Sequence, residues 1–282
     1  MASYEKNKQK FKVSKLILYI ILILLCVIYI YPLLWLIMAS FKTNSEIFLS
    51  AFNFPAELQW VNYEKAWTAG EIGRSFLNSV IVVGCTLLIS LTINCMAAYA
   101  ISRMKWKLSG LCMALFLSGM MVPIHVILIP LYVWFAGIGL LDNYASLIIP
   151  YIVFTFGQSI YIMRGFFSSL PREMEEAAVI DGCSLWGAFW KIMIPISTGG
   201  IFTIGLFTFN GTWNELLLAK IFTNSVAVRT LPVGLTVFVG PNMTNYGPMF
   251  AAIVIAVIPT IIVYCCLSNK IVGGLTAGAV KG

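Results

Sequence analysis

Residues 16–38 read LILYIILILLCVIYIYPLLWLIM, a run of 23 residues without one charged side chain. An α-helix of about 20 apolar residues is long enough to cross the roughly 30 Å hydrocarbon core of a bilayer. The run is too long for the apolar part of a secretory leader, and Tyr31-Pro32-Leu33-Leu34-Trp35 stands where small cleavage-site residues would be needed. The stretch therefore predicts an uncleaved membrane anchor.

The rest of the chain repeats this pattern, since only 10% of its 282 residues are charged and 60% are hydrophobic. Six apolar stretches are long enough to cross a membrane: Leu16–Met38, Phe76–Ala100, Leu108–Phe135, Ala145–Met163, Ile194–Trp213 and Pro248–Leu267. The third contains Pro123 and Pro130, which predict a kink or a break because proline has no N–H to donate. We expect an all-α polytopic membrane protein with six transmembrane helices.

The basic residues predict how these helices are oriented. Five lysines between Lys6 and Lys15 precede the first stretch, and cytoplasmic segments of membrane proteins are enriched in Lys and Arg. Threading six spans from a cytoplasmic N-terminus leaves 13 of the 18 Lys and Arg residues inside. Both termini are therefore expected in the cytoplasm. The net charge of +7 reflects this orientation and does not imply a nucleic-acid partner.

The largest predicted cytoplasmic loop, residues 164–193, contains four carboxylates within nine positions: Glu173, Glu175, Glu176 and Asp181. The glutamates suit the first turn of a helix, where the helix dipole favours negative charge. Ala177-Ala178 continues that helix with small side chains, and Asp181-Gly182 predicts its end. Residues 185–190 then predict a second short helix that leads to Pro195. A helix–glycine–helix outside the membrane suits docking into a groove on a partner, although an ordinary connecting loop also needs charges and a turn.

The pattern of this loop resembles the EAA loop of ABC importer permeases. The matching positions are Glu176-Ala177-Ala178, Gly182, Ile192 and Ile194-Pro195, with Ile194 where Leu is usual. Further stretches resemble the sugar-importing permeases of the maltose type, on the smaller-subunit side: Ser40-Phe41-Lys42, Asn78-Ser79, residues 98–103, residues 129–132, residues 139–142, Trp213-Asn214-Glu215, residues 231–235 and residues 274–282. The chain departs from the family pattern at Cys183 and at Thr198-Gly199-Gly200.

The resemblance implies a type I ABC importer permease fold and a role for the loop, which we call the coupling loop (residues 164–193). In such importers this loop docks on a separate pair of cytoplasmic ATPase subunits. The implied ATPase-coupling residues are Glu175, Glu176, Ala177, Ala178, Asp181, Gly182, Ile192 and Pro195. The chain contains no G-x-x-x-x-G-K-[ST] phosphate-binding motif, so we expect neither enzymatic activity nor a cofactor in this subunit. A second, different permease subunit and an extracytoplasmic solute-binding protein are the other implied partners.

The resemblance also implies a single transmembrane permease domain over residues 1–282 of a multi-pass cell-membrane protein. Its expected parts are a cytoplasmic N-terminus (1–15), the first span with an outer loop (16–71), the permease core (72–268) and a cytoplasmic tail (269–282). Within the outer loop before the last span, five residues are expected to contact the binding protein: Arg229, Pro232, Gly234, Gly240 and Pro241. The prolines and glycines there predict a shaped protrusion rather than a helix.

Two stripes of polar residues are candidates for the translocation pathway. They are Ser79, Thr86, Ser90 and Asn94 in the second stretch, and Thr203, Asn210, Asn214 and Glu215 in the fifth. Polar side chains within a membrane face the interior of the bundle, because an unpartnered polar group in hydrocarbon is costly. They would either line a path for a hydroxyl-rich solute or hydrogen-bond neighbouring helices, and the sequence leaves both roles open.

An ion-coupled secondary transporter of a small polar solute is the alternative function. Such proteins place acidic residues near the middle of the membrane. The six apolar stretches have no acid at mid-span, since Asp142 and Glu215 lie near the expected outer surface. A membrane enzyme would need a catalytic group of residues, and the coupling loop contains no His and no nucleophile–base pair. The sequence therefore favours the importer.

Overall fold

The computed structural model describes the backbone of residues 2–68, 70–240 and 244–279, and the side chains of residues 13–68, 70–240 and 244–267. Within these ranges the chain is helical, apart from connecting loops and a single bridge between Val239 and Thr244. The helices are α1 (Ala2–Ser40), α2 (Asn44–Leu49), α3 (Val61–Thr68), α4 (Ile72–Arg103), α5 (Ser109–Met120), α6 (Ile124–Gly137), α7 (Tyr144–Ser169), α8 (Glu173–Ile180), α9 (Leu185–Ala188), α10 (Ile194–Ile196), α11 (Thr198–Trp213), α12 (Leu217–Phe222), α13 (Leu231–Leu235) and α14 (Tyr246–Ala279).

All six apolar stretches lie in helices, but they do so in two ways. Four helical segments are individually long and apolar enough to cross a membrane: Val13–Ser40, Ile72–Arg103, Tyr144–Ser169 and Tyr246–Leu267. The third and fifth stretches each form a pair of helices that meet at an angle, 94° between α5 and α6 and 77° between the segment Leu185–Ile196 and α11. The described residues thus contain four continuous candidate spans, or six if each bent pair counts as one.

The break in the third stretch occurs at Pro123 and not at Pro130. Pro123 is the N-cap of α6 and has an extended backbone, with φ −64° and ψ 137°. A residue before proline avoids the helical conformation, so α5 ends just ahead of it. Pro130 lies inside α6. The predicted break is therefore confirmed, at the first of the two prolines.

The bend in the fifth stretch differs from the expected single span. Helical structure begins at Leu185, passes through a π-helical turn at Phe189–Met193 and changes direction at Ser197. The N–H of Ser197 is shared between the carbonyls of Met193 and Ile194, at 3.1 and 3.2 Å. Glycines follow at positions 199 and 200 and are poor helix formers. Weak helix propensity after the shared hydrogen bond explains why one apolar stretch forms two segments.

The chain divides into two compact units, of which the first comprises Met1–Gly70 and Phe238–Ile255. The outer loop after α1 forms the short helices α2 and α3. Lys42 is fully buried and donates from Nζ to the carbonyls of Ser50 and Ala51, at 2.8 and 3.0 Å. Asn62 donates to the carbonyls of Ser40 and Lys42, both at 2.9 Å. Buried polar side chains thus satisfy the irregular backbone of this unit, as buried carbonyls require.

The second unit comprises Glu71–Val237 and Ala256–Gly282, and it contains the coupling loop and both polar stripes. Helices α4 and α7 pack along each other, and α5 and α11 pack against them. Two apolar clusters fill this unit. One surrounds Tyr99, Phe167 and Phe189, and the other surrounds Phe135 and Phe222. The first cluster anchors the coupling loop to the helices, because Phe189 belongs to both.

Candidate coupling loop and transport pathway

The coupling loop forms two short helices joined at Gly182. Helix α8 begins at Glu173, and its first turn contains Glu173, Glu175 and Glu176, where unpaired backbone N–H groups favour negative charge. Gly182 adopts a left-handed conformation with φ +85°, which confirms the expected helix end. The N–H of Cys183 donates to the carbonyl of Ala178 at 2.9 Å and closes this turn. A Cβ atom at Gly182 would meet no heavy atom within 4 Å, so the requirement for glycine is conformational rather than spatial.

Ser184 is the N-cap of helix α9, and its hydroxyl accepts from the N–H of Gly187 at 3.1 Å. The two helices expose an apolar surface consisting of Val179, Ile180, Leu185 and Trp186, and Ile180 is 85% exposed. Ala178 is only 4% exposed, whereas Ala177 faces outward. Successive residues of a helix point about 100° apart, so only Ala177 is available at the tip of the loop. Of the remaining coupling candidates, Asp181 and Pro195 are exposed and Ile192 is partly buried in the π-helical turn.

One ion pair connects α8 to the end of α4. Arg103 Nε lies 3.4 Å from Glu175 Oε1, and the two side chains are 4% and 17% exposed. Arg103 Nη2 also donates to the carbonyl of Leu170, the residue after α7, at 2.7 Å. Burial raises the pKa of Glu175, and the positive charges of Arg103 and Arg172 oppose that rise. The pair borders a groove of about 700 Å³ that is also lined by Glu176.

The polar stripe on α4 is buried within the chain. Ser79, Thr86, Ser90 and Asn94 are all 2% exposed or less. Ser79 Oγ accepts from the N–H of Leu231 at 2.8 Å, and Asn94 Nδ2 donates to Thr155 Oγ1 at 2.9 Å. Ser90 contacts the carbonyl of Leu87 at 3.5 Å, a long distance for a hydrogen bond. Ser79 and Asn94 therefore connect α4 to neighbouring segments of the same chain.

The stripe on α11 separates into buried and exposed residues. Thr203 is 4% exposed and donates to the carbonyl of Gly199, one turn earlier. Asn210 and Asn214 are exposed, and Asn214 Nδ2 donates to Asn210 Oδ1 at 3.0 Å. Only the C-terminal half of the stripe is thus exposed.

Glu215, the last residue of that stripe, is held by three hydrogen-bond donors. Tyr151 donates from its hydroxyl to Oε2 at 2.5 Å. The N–H groups of Leu218 and Ala219 donate to Oε1 and Oε2, at 2.8 and 3.1 Å. Glu215 therefore caps the first turn of α12 and ties it to α7. An ionised carboxylate has about four acceptor positions, so roughly one remains for another donor.

Glu215 lies on the wall of a cavity of about 840 Å³ formed by α5, α6, α7 and α11. The cavity is lined by aromatic and polar residues. Most of the polar ones were not expected from the sequence: Tyr151, Thr155, Gln158, Ser159, Thr208 and Thr212. A signal for them was present. Positions 151, 155 and 158 on α7, and 208, 212 and 215 on α11, each follow the spacing of one helical face.

The expected binding-protein contacts differ in exposure and local structure. Residues 231–235 form helix α13, so the prediction of a protrusion without helix is wrong for this part. Gly234 is buried, and a Cβ atom there would lie 2.9 Å from Ser75 Oγ, so close packing explains the glycine. Arg229 and Pro232 are partly exposed, and so is Gly240 within the first unit. Pro241 lies outside the described residues.

Known proteins are similar in sequence to this chain over most of its length. The diacetylchitobiose uptake system permease protein NgcG of Streptomyces coelicolor is 35% identical over 263 residues, which are 93% of this chain and 87% of that protein. The trehalose/maltose transport system permease protein MalG of Thermococcus litoralis is 32% identical over 274 residues, 95% of this chain and 98% of that protein.

The fold is also found in a solved structure, a bacterial ABC transporter involved in the import of the acidic polysaccharide alginate. One of its chains matches with a TM-score of 0.78 at 21% identity, covering 92% of this chain and 96% of that chain. The family model of the binding-protein-dependent transport system inner membrane component matches residues 90–269, a range that contains the whole coupling loop. This chain therefore belongs to the family of inner membrane components of binding-protein-dependent transport systems.

Proposed function

We propose that this chain is the permease subunit of an ATP-driven ABC importer that carries a sugar or oligosaccharide into the cytoplasm. A pair of cytoplasmic ATPase subunits, a second permease subunit and an extracytoplasmic binding protein complete the transporter. The observation that carries the proposal is the coupling loop, whose helix–glycine–helix geometry occurs within the region matched by the family model. Relatives named for sugar uptake support the solute class.

The coupling loop is the proposed contact with the ATPase. Its exposed apolar residues, led by Ile180 and Trp186, suit a hydrophobic groove on that partner. Glu176 is exposed beside them and supplies a negative charge for a basic group. Ala177 allows close approach because its side chain is small. Driven closure of the ATPase pair would displace the loop, and the attached helices would then alternate between inward-open and outward-open states.

The cavity lined by α7 and α11 is the proposed path for the solute within this subunit. A sugar offers hydroxyl groups and apolar ring faces. The cavity offers hydroxyls and an amide from Thr155, Gln158 and Thr212, together with the aromatic faces of Phe154 and Phe207. Asn210, Asn214 and Glu215 extend this polar surface along α11. The buried residues of α4 support this path from behind through the contact between Asn94 and Thr155.

The loop around α13 is the proposed contact with the binding protein. Arg229 and Pro232 are its accessible residues in the second unit, and Gly240 and Pro241 continue it along the chain. The buried Gly234 acts there as a packing residue. An ion-coupled secondary transporter receives no support, because the matching family model describes a component of binding-protein-dependent transport systems.

The test is transport by the complete complex in proteoliposomes. Sugar uptake should require both ATP and the sugar-loaded binding protein, and ionophores that dissipate proton and sodium gradients should leave it unchanged. Glu176→Lys should abolish uptake, whereas Glu173→Lys, an exposed charge reversal in the same turn of α8, should retain it. Uptake driven by an ion gradient in the absence of ATP would refute the proposal.

A further inference from the structure

The guanidinium of Arg103 joins three helices at one end of the second unit. Arg103 is the last residue of α4, its Nη2 donates to the carbonyl that follows α7, and its Nε faces the carboxylate of Glu175 on α8. With side-chain exposures of 4% and 17%, both charged groups are largely removed from water. No other ion pair is found among the residues whose side chains the structure describes.

We propose that Arg103 is a positioning residue that transmits displacement of the coupling loop to α4 and α7, through its ion pair with Glu175. The inference rests on the proposed function, because it assumes that the ATPase moves this loop. It assigns to the two adjacent glutamates different tasks: Glu176 faces the partner, and Glu175 faces the helices of its own chain.

Helix α8 has few other attachments to the bundle. Ala178 is its single buried residue, and an alanine side chain provides little packing area. At its far end the chain passes through the left-handed Gly182, where backbone freedom is greatest. The following segment is held independently, because Phe189 is buried and packs against Tyr99 with ring centroids 5.1 Å apart. Without the ion pair, α8 could therefore move while the bundle stayed in place.

The charges themselves make the link specific. Removing one partner of a buried ion pair destabilises a protein much more than removing both, because the remaining charge is then buried without an opposite charge. Burial raises the pKa of Glu175, and the positive charges of Arg103 and Arg172 oppose that rise and so favour the carboxylate form. The same logic gives the experiment a characteristic signature: neutralising both residues should be less harmful than the sum of the two single changes.

The experiment uses Arg103→Gln, Glu175→Gln and the double variant in the complete complex, with Glu173→Gln as the matched control on an exposed acid of the same helix. The readout is sugar transported per ATP hydrolysed in proteoliposomes with the loaded binding protein, together with the subunit ratio of the purified complex. Each single variant should lower the transport ratio about tenfold at an unchanged subunit ratio, and the double variant should be lowered by about the same factor, because all three lack the same link.

Three outcomes would overturn the positioning role. The single variants could transport as much sugar per ATP as the wild type, their losses could add up in the double variant, or the single variants could yield a complex with an altered subunit ratio. Failure of the proposed function would look different. In that case the wild-type complex itself would not hydrolyse ATP in response to the loaded binding protein, before any variant is compared.

Discussion

The two ends of α4 are held by different kinds of contact. Near its start, Asn78 Nδ2 donates to the carbonyls of Val226 and Arg229 at 3.3 and 2.8 Å, and Tyr144 donates to Asn78 Oδ1 at 2.7 Å. At its other end, Arg103 meets one carboxylate and one carbonyl. Hydrogen bonds weaken steeply when their geometry changes, whereas charge attraction falls slowly with distance. The first end is therefore suited to stay fixed, and the second can be displaced without losing its partner.

Replacing Asn78 with Leu should break the fixed end and have the largest effect on stability. Leu is similar in size but removes the donor to two carbonyls and one of the two acceptors of the Tyr144 hydroxyl, at a site where Asn78 is buried. The expected loss is about 3 kcal/mol, as for several buried polar groups left unpaired. Thermal unfolding of the purified complex measures it. Tyr144→Phe, which removes fewer of these bonds, should lose less, and equal stability of Asn78→Leu and wild type would contradict the comparison.

Replacing Gly182 with Val should disturb the displaceable end and change transport more than stability. A β-branched residue at φ +85° is strained by about 1–3 kcal/mol, and relief of that strain would turn α8 away from Arg103. We expect sugar uptake to fall by about tenfold or more while the chain still inserts into the membrane. Gly187→Ala is the control in the same loop, because its added Cβ meets only ordinary contacts at 3.6 Å. Wild-type uptake with Gly182→Val would show that this junction tolerates other geometries.

Ser79→Ala should weaken the fixed end by a smaller amount. It removes one acceptor for the N–H of Leu231 at the start of α13, and a single hydrogen bond of this kind contributes about 1 kcal/mol. Unfolding of the complex in increasing denaturant would detect this difference. Ser118→Ala, whose hydroxyl is exposed and bonds only within its own helix, should be neutral by comparison. A larger loss at Ser118 than at Ser79 would be inconsistent with the fixed end described above.

The smallest expected effect concerns Asp142, which holds the start of the loop fixed by Asn78. Asp142 Oδ1 accepts from the N–H groups of Asn224 and Ser225 at 2.9 and 2.8 Å, and the bond from Ser225 is the main cause of its lowered pKa. A lowered pKa adds stability above the ordinary pKa of the carboxyl, and that stability is lost as the pH falls through the folded-state value. Asp142→Asn should thus be less stable than wild type at neutral pH.

The pH dependence of that difference provides the measurement. Unfolding of both proteins followed against pH should show a constant gap down to about pH 5 and a shrinking gap below about pH 4. Asn tolerates the left-handed conformation of position 142, where φ is +56°, so backbone strain does not confuse the comparison. If the stability difference between the two proteins grew on acidification, the pKa of Asp142 could not be lowered by folding.

Much of the fold could be predicted because its signals are local. An apolar run of sufficient length, such as residues 16–38, predicts both a helix and its location in a lipid bilayer. Pro123 and Gly182 act on their own backbone, so the break and the left-handed turn were predictable from single residues. The bend at Ser197 was not, since it depends on a backbone N–H shared between two carbonyls, which no single residue requires.

The candidate site was harder to predict because its residues meet across helices. Glu175 and Glu176 are neighbours in sequence with identical side chains, and only packing against Arg103 determines which one faces inward. The polar stripe of α4 was visible as a pattern, but a pattern does not distinguish a solute path from contacts with Leu231 and Thr155. The residues of the cavity lie on two helical faces whose register against each other is set by the tertiary fold.

Because α4 is long, it can act as a lever between its fixed end and its displaceable end. The helix has 32 residues, about 48 Å at the usual rise per residue, and Arg103 lies 25 residues beyond Asn78. A rod pivoting near Asn78 thus has a lever arm of about 37 Å, and a tilt of about 5° moves its tip by about 3 Å. A probe pair near the pivot would register almost no change in distance during turnover, and one beside Arg103 would register nearly all of it. A displacement of about 3 Å beside the coupling loop would then require only a slight rotation of α4 about its fixed end.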